Sequence, residues 1–208
     1  TSNGTLGVVM GGADFPSNTG DHDKIQKVTI QTTANATDFG NTTAGVQSSG
    51  TCNTTTRGIR MGGTNGTSDI IEYVTISSTG NATNFGSLTR ARRSPANGVT
   101  CSATRGVCIA GSAGGGGNTN TIDYITMASA GNATDFGDTS QVLNEAVGCS
   151  SLLRSVFGGG STNNTNELEY ITIASTGNAT DYGDLLHENS TNHHITSSGA
   201  SSNHGGVA

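Results

Sequence analysis

One six-residue segment occurs four times along the chain, and this repetition constrains the fold more than any other feature. The segment reads Asn-Ala-Thr, then Asp or Asn, then Phe or Tyr, then Gly. Its copies, at intervals of 46, 51 and 46 residues, are Asn35–Gly40, Asn81–Gly86, Asn132–Gly137 and Asn178–Gly183. Sequence periods of roughly 20–50 residues are typical of solenoids, propellers and repeat arrays. The chain is therefore predicted to be a single repeat domain of about four units.

A run of alternating apolar and polar residues precedes each copy of the segment. The last three runs share one pattern: Ile or Leu, an acid, Tyr, Ile or Val, Thr, then Ile or Met. Alternation with a period of two and enrichment in β-branched residues predict β-strands. The four predicted strands are Ile25–Ile30, Ile71–Ile76, Ile122–Met127 and Leu168–Ile173.

Two further features recur upstream of each run. The first is a short apolar stretch that ends in small residues, as in Gly58–Gly63. Three of the four stretches follow an arginine: Arg57, Arg105 and Arg154. The second is a cysteine ten residues before a Gly of the glycine-rich turn, at Cys52, Cys101 and Cys149. The constant offset indicates that the three cysteines occupy one repeated position.

A unit of this length holds three or four short strands, which form one small sheet with two apolar faces. Such a sheet cannot bury both faces alone, so the units are expected to pack on one another. The pattern predicts an all-β fold, a β-propeller with units of approximately 6–57, 58–105, 106–154 and 155–208. Similar Gly-Val strands are predicted at both ends, in Leu6–Met10 and Gly205–Ala208. The four units therefore either close into a ring or form a section of a larger propeller, with a stack or solenoid as a third arrangement.

Composition argues against two classes of partner. The chain has 208 residues, 12% of them charged, with 9 Lys and Arg and a net charge of −6. A nucleic-acid groove needs clustered basic residues, and the one basic cluster, Arg90, Arg92 and Arg93, is predicted to be a solvated loop. No apolar run approaches the roughly 20 residues of a membrane-spanning helix, so no membrane contact is expected. Because the chain begins at Thr1 without a signal peptide, we expect a processed protein or part of a longer one.

The repeated segment contains the first candidates for a binding site. An Asp or Asn side chain can accept hydrogen bonds from nearby backbone N–H groups and hold a tight turn. The alternative is a ring of carboxylates that binds calcium or sugar. Recurrence in every copy, with Asn in place of Asp in the second, favours the turn. The residues assigned to this repeated structural turn are Asn35, Asp38, Gly40, Asn81, Asn84, Gly86, Asn132, Asp135, Gly137, Asn178, Asp181 and Gly183.

The four cysteines are not arranged as a metal site. No Cys-x-x-Cys pair is present, which argues against zinc. Equivalent positions in successive propeller blades are expected to lie too far apart for a disulfide, which needs Cα atoms within about 7 Å. Cys101 and Cys108, on adjacent segments, are the one pair considered for a disulfide. Otherwise we interpret the cysteines as small buried hydrophobic residues.

Histidines suggest a second possible metal site. Imidazole and carboxylate groups together are typical ligands of transition metals. Near the C-terminus they are His187, Glu188, His193, His194 and His204, while His22 stands between Asp21 and Asp23. Because the surrounding sequence is rich in Asn and Ser, we expect solvated loops there, with an inter-subunit metal site as the alternative. No cofactor is predicted, and no catalytic motif is recognised, so no enzymatic activity is expected.

The spacing of Gly63 to Tyr73 and of Gly160 to Tyr170 resembles the kelch repeat family of β-propellers. The later Trp of that family is absent, and its nearest substitutes are Phe39, Phe85, Phe136 and Tyr182. The longer phrase, from Arg-Gly-Val through Gly-Gly and Ile-Glu-Tyr-Ile-Thr-Ile to Asn-Ala-Thr-Asp-Phe-Gly, looks like a repeat of virion and tail-fibre proteins of tailed phages. This resemblance covers nearly the whole chain.

Together these observations lead us to expect a structural and adhesion module, exposed on a virion or another extracellular surface. Its expected partners are other virion or surface subunits, further copies of the chain in a homo-oligomer, and a host-surface glycan bound weakly by hydroxyl and amide groups. One alternative is the propeller domain of a secreted glycan-processing enzyme or copper oxidase. Another is a subunit of a self-assembling filament.

Overall fold

A computed structural model describes residues 1–13, 20–63, 68–115, 117–160 and 166–186. All regular elements within these ranges are β-strands, which confirms the predicted all-β class. The strands are β1 (Leu6–Ala13), β2 (Asp21–Thr29), β3 (Thr37–Asn41), β4 (Gly50–Asn53), β5 (Arg57–Met61), β6 (Ser68–Thr75), β7 (Thr83–Arg93), β8 (Ala96–Cys101), β9 (Arg105–Ala113), β10 (Asn118–Thr126), β11 (Thr134–Leu143), β12 (Val147–Ser150), β13 (Arg154–Gly158), β14 (Glu167–Thr172) and β15 (Thr180–Asp184). The four alternating runs lie in β2, β6, β10 and β14, as predicted. The predicted strand Gly205–Ala208 lies outside the described residues.

The strands form three antiparallel sheets. The first contains β1 to β3, the second β4 to β11, and the third β12 to β15. Two residue pairs between β7 and β9, Arg92 with Ala113 and Arg93 with Ser112, join the two halves of the second sheet. We name the repeats accordingly: unit 1 is residues 1–3 with β1–β3, unit 2 is β4–β7, unit 3 is β8–β11 and unit 4 is β12–β15. Residues 1–3 belong to unit 1 because Ser2 pairs with Gly7.

The unit boundaries differ from those predicted from the sequence. The predicted boundary after residue 57 falls inside β5, because the strand that carries Cys52 pairs with the strand that follows it. The same holds for β8 with β9 and for β12 with β13. Consecutive antiparallel strands joined by a short turn pair with each other. The cysteine strand therefore opens each unit instead of ending the one before.

The repeated segment, in which the sequence predicts a tight turn, lies at a β-bulge. In unit 2, Ile71 pairs with Gly86 and Glu72 pairs with Asn84, so that Phe85 is the extra residue. The equivalent extra residues are Phe39, Phe136 and Tyr182. A bulge redirects the side chain of its extra residue. Phe85 is thereby aimed into the core, where only 2% of it is exposed.

The hydrophobic core is divided into three clusters, each between two consecutive units. Between units 2 and 3, for example, Ile59, Ile71 and Phe85 of unit 2 pack with Ile125 and Met127 of unit 3. Clusters at the equivalent places join unit 1 to unit 2 and unit 3 to unit 4. We call the face of a unit that packs on the next unit its forward face, and the opposite face its rear face. Burying each side chain of this size contributes roughly 1.5–3 kcal/mol, so the units stabilise one another through these faces.

The glycine of each bulge is required by the close approach of the next unit. Gly40, Gly86 and Gly137 have φ values of 154°, 155° and 145°, in the region that favours glycine. A Cβ on Gly86 would lie 2.2 Å from the carbonyl oxygen of Gly131 in unit 3. A side chain at this position would therefore separate the two units.

Replacing Gly86 by alanine is expected to lower the free energy of unfolding by at least about 2 kcal/mol, through backbone strain and the clash with Gly131. The matched control is Gly131→Ala, because a Cβ there meets no atom within 4 Å and the first repeat has Ala34 at this position. The control should change stability by less than about 0.5 kcal/mol. Urea denaturation of both variants measures the difference, and equal effects would contradict the close-approach explanation.

Candidate functional site

The asparagine of the repeated segment connects neighbouring units. The Oδ1 atom of Asn81 accepts a hydrogen bond from the backbone N–H of Asn41 at 3.0 Å, across the junction of units 1 and 2. Asn132 accepts from Ser87 at 3.1 Å, and Asn178 accepts from Asp138 at 3.0 Å. The side chain thus satisfies a backbone donor of the preceding unit.

Two backbone hydrogen bonds complete each of these junctions. Between units 1 and 2, Gly80 N–H donates to the carbonyl of Phe39, and Ala82 N–H donates to that of Asn41, both at 2.8 Å. The same pairs at the next junctions are Gly131 with Phe85, Ala133 with Ser87, Gly177 with Phe136 and Ala179 with Asp138. Each unit thereby extends the backbone hydrogen bonding of its neighbour beside the bulge.

The acidic residues of the bulge make local contacts. Asp135 and Asp181 each accept a hydrogen bond from the glycine N–H two residues later, at 3.2 and 2.8 Å. Asp38 and Asn84 occupy the same exposed position in units 1 and 2. Each of these four side chains lies on the bulge of its own unit. Among the described residues, no group of three or more His, Cys, Asp or Glu is placed to share a metal ion.

A second set of acids, which sequence reasoning treated only as part of a strand pattern, lies buried between the units. Glu72 is fully buried in β6 and points from the rear face of unit 2 towards unit 1. Its carboxylate accepts hydrogen bonds from Thr43, at 2.9 Å from the backbone nitrogen and 2.7 Å from the hydroxyl. Its other oxygen lies 2.7 Å from Nε of Arg60, which is 1% exposed. A buried carboxylate of this kind needs both a counter-charge and hydrogen-bond donors.

Asp123 is the equivalent acid in unit 3, and its counter-charge comes from a different strand. Thr89 of unit 2 donates to it from the backbone nitrogen at 3.1 Å and from the hydroxyl at 2.6 Å. Its cross-strand neighbour is Cys108, at the position of Arg60 in unit 2. The guanidinium is supplied by Arg92 of β7, which is fully buried and forms an ion pair with Asp123.

The position of Arg92 corrects the predicted solvated basic loop. Arg90, Arg92 and Arg93 lie in the long strand β7, where Arg90 and Arg93 are exposed and Arg92 is buried. The guanidinium of Arg92 also donates to the carbonyl of Thr121 at 2.5 Å. The sequence signal for this burial is the missing Arg at residue 108, the cross-strand neighbour of Asp123.

Glu169, the third acid of this set, lies opposite Phe157 in β13. It accepts a hydrogen bond from the backbone N–H of Ser140 in unit 3 at 2.9 Å. Burial raises the pKa of the Glu169 carboxyl above its ordinary value of 4.5, and the hydrogen bonds from Ser140 oppose this shift. The three junctions thus have an acid at the same position, but the groups that surround its carboxylate differ from one junction to the next.

The repeated arginine also spans the junctions. The guanidinium carbons of Arg57, Arg105 and Arg154 lie 4.7, 4.5 and 4.6 Å from the ring centres of the tyrosines of their own units. Arg57 additionally donates to the carbonyls of Met127 and Ala128 in unit 3, both at 3.0 Å. Arg105 donates to the carbonyl of Ile173 in unit 4 at 3.0 Å. These arginines therefore form hydrogen bonds from unit 2 to unit 3 and from unit 3 to unit 4.

The first strands of neighbouring units lie close together, which corrects the expected separation of the equivalent cysteines. Strands β4 and β8 are in contact; the thiol of Cys52 donates to the sulfur of Met127 at 3.7 Å, and that of Cys101 donates to the carbonyl of Asn53 at 3.6 Å. A hydrogen bond from Cys52 to the Cys101 thiolate lowers the pKa of Cys101 to about 7, whereas burial raises that of Cys108 to about 11. None of the four cysteines forms a disulfide, so the pair considered, Cys101 and Cys108, is not bonded.

The predicted histidine cluster, His187, Glu188, His193, His194 and His204, lies outside the described residues. His22 lies in β2 of unit 1. No helix in the described part of the chain is long and apolar enough to cross a membrane.

No protein-family model matches the chain, and no curated protein matches it. The kelch and tailed-phage resemblance therefore stays a prediction.

Replacing Glu72 by glutamine should lower the free energy of unfolding by about 3–5 kcal/mol at neutral pH, because Arg60 would be left buried without a counter-charge. The matched control is Glu169→Gln, where no buried arginine depends on the charge. A glutamine oxygen can still accept from Ser140, so the change should be below about 1 kcal/mol.

The pH dependence of the free energy of unfolding gives a second comparison between the unmodified protein and the Glu169→Gln variant. Because the folded-state pKa of Glu169 is raised, the folded protein binds this proton more tightly than the unfolded chain does. Its contribution to stability is present below pH 4.5 and is lost as the pH rises through the folded pKa. Glu169→Gln should abolish that loss in chemical denaturation curves recorded between pH 4 and 7. An unchanged slope would contradict the assigned shift.

Cys101 should react with iodoacetamide with a midpoint near pH 7, as measured by mass spectrometry of its peptide, since the thiolate is the reactive form. The variant Cys52→Ala removes the hydrogen-bond donor, so the midpoint should move up towards the ordinary value of 9.0. Buried Cys108 should remain unmodified in the folded protein. A midpoint that is the same with and without Cys52 would contradict the assigned cause.

Proposed function

We propose that the chain is a structural and adhesion module of a virion or another extracellular surface, built from propeller blades of the kelch type. The observation that carries this proposal is the use of the repeated polar residues. Asn81, Glu72 and Arg57, with their equivalents in the other units, hold one unit to the next. Because these polar groups already bind a neighbouring unit, they stabilise the module itself. Contacts with other molecules would then be made by its outer surface.

The arrangement of strands supports the propeller part of the proposal. Units 2 and 3 are the two four-stranded halves of the second sheet, and unit 4 is the four-stranded third sheet; four antiparallel strands are also the composition of a propeller blade. Their first strands, β4, β8 and β12, contact one another in sequence, as blades do around a central axis. The virion or extracellular location is supported by the resemblance of the repeat to tailed-phage proteins.

A shallow groove in unit 2 supports weak glycan binding. It has a volume of about 360 Å³ and is lined by Tyr73, Val74, Thr75, Ser78, Thr79, Gly80, Asn81 and Thr83. One aromatic edge surrounded by hydroxyl and amide groups matches the chemistry of a sugar. Tyr, Thr, Ser and Asn recur at the equivalent places in units 3 and 4, so several weak contacts could act together.

A polysaccharide array should show binding that is lost when the rims of the three equivalent grooves are blocked. The blocking variant carries Thr83→Arg, Thr134→Arg and Thr180→Arg, at exposed positions that begin β7, β11 and β15. The matched control adds the same charge in exposed hairpin turns, through Thr55→Arg, Ala103→Arg and Leu152→Arg. The control should bind as the unmodified protein does. Absence of any binding, or an equal loss in both variants, would refute glycan adhesion.

A further inference from the structure

No described residue of another unit packs on the forward face of unit 4 or on the rear face of unit 1, and both are called uncovered in this sense. Tyr182 on the forward face is 56% exposed, whereas the equivalent Phe85 is 2% exposed beneath unit 3. On the rear face, Val9 and Ile30 are 63% and 53% exposed, whereas Ile76, the equivalent of Ile30, is fully buried. These are two halves of one type of interface, which occurs three times within the chain.

Both uncovered faces carry the backbone groups that a junction needs. Gly183 has a φ of 133° and open space where a Cβ would be, which is the space that the next unit fills beside Gly86. Beside it, the N–H and carbonyl of Asp184 correspond to those of Ser87. On the rear face, Asn35 and Ala36 correspond to Asn132 and Ala133. Joining the two faces would reproduce the three hydrogen bonds of an internal junction.

Around the acid position, each of the two uncovered faces carries a residue that differs from those of the internal junctions. The rear face of unit 1 has Gln26 in place of Glu72, Asp123 and Glu169. The forward face of unit 4 has Leu186 in place of the Thr or Ser that donates to the acid. Leucine keeps the backbone N–H but lacks the hydroxyl that Thr43 and Thr89 donate, so a buried carboxylate facing it would lose one of its two donors. Loss of the acid on one face and of the donating hydroxyl on the other is therefore consistent with contact between these two faces.

We propose that the forward face of unit 4 binds the rear face of unit 1 of a second copy of this chain, head to tail. This is a deeper form of the proposed structural role, on which it rests. A second copy is the occupant because the interface continues one that the chain already forms three times, and because the two faces of a single chain leave each other exposed. Head-to-tail contacts produce closed rings or open filaments, according to the rotation between copies.

The test uses one lysine on each face and one elsewhere. Ile30→Lys blocks the rear face and Tyr182→Lys blocks the forward face, both at exposed positions. The control is Leu153→Lys, which is 70% exposed in the turn between β12 and β13 and lies on neither face. Circular dichroism establishes that each variant is folded, and sedimentation equilibrium gives its mass.

We expect the unmodified protein and the Leu153→Lys control to show a mass that rises with concentration above that of one chain. Each face variant alone should keep the mass of one chain. An equimolar mixture of the two face variants should reach the mass of two chains and stop, because only one forward and one rear face remain active.

Three results would overturn the proposal. The unmodified protein could keep the mass of one chain up to its solubility limit, as it would if its faces closed on each other or were covered by residues 187–208. The face variants could associate as the unmodified protein does, or their mixture could fail to pair. Because mass is measured without glycan, failure here is distinguishable from failure of the adhesion proposal.

Discussion

A four-stranded sheet with two apolar faces cannot bury both by itself, and the rest of this structure depends on that constraint. Each of the three cores consists of the forward face of one unit and the rear face of the next. The bulge serves this packing because it turns Phe85 into the core and brings Gly86 against Gly131. The segment that repeats most clearly in the sequence is therefore the one that the contact between units requires.

Buried charge is the second consequence of packing the units closely. Glu72 is compensated by Arg60 of its own unit, and Asp123 by Arg92 of the preceding unit. Glu169 accepts from the backbone N–H of Ser140 and has a raised pKa. A charge excluded from water must be paired or neutralised, but the fold does not dictate which strand supplies the partner. The acid position is thus constant while its compensation varies between junctions.

The sequence predicts the elements of this fold better than it predicts their contacts. Alternation places β2, β6, β10 and β14, and the spacing of the repeated segment gives the number of units. Asn, Asp and Gly favour both turns and bulges, so the pattern alone does not predict the bulge at Phe85. The burial of Arg92 and the proximity of Cys52 to Cys101 depend on which strands of neighbouring units converge. Such contacts between units are not visible in a pattern read along one strand.

Some residues differ from those at the equivalent positions of the other units. When two such residues differ together, the pair indicates that their positions are in contact. In unit 1, Leu6 and Lys27 replace the arginine and tyrosine that stack in the other units. Lys27 takes over the contact with the bulge aromatic, 5.9 Å from the ring centre of Phe39, and an arginine beside it would add like charge. The two positions are diagonal neighbours within one sheet, since Leu6 pairs with Thr29 and Lys27 pairs with Val8. Gln26 and Leu186 show the same kind of paired change although they belong to different units, which is what contact across a junction would produce.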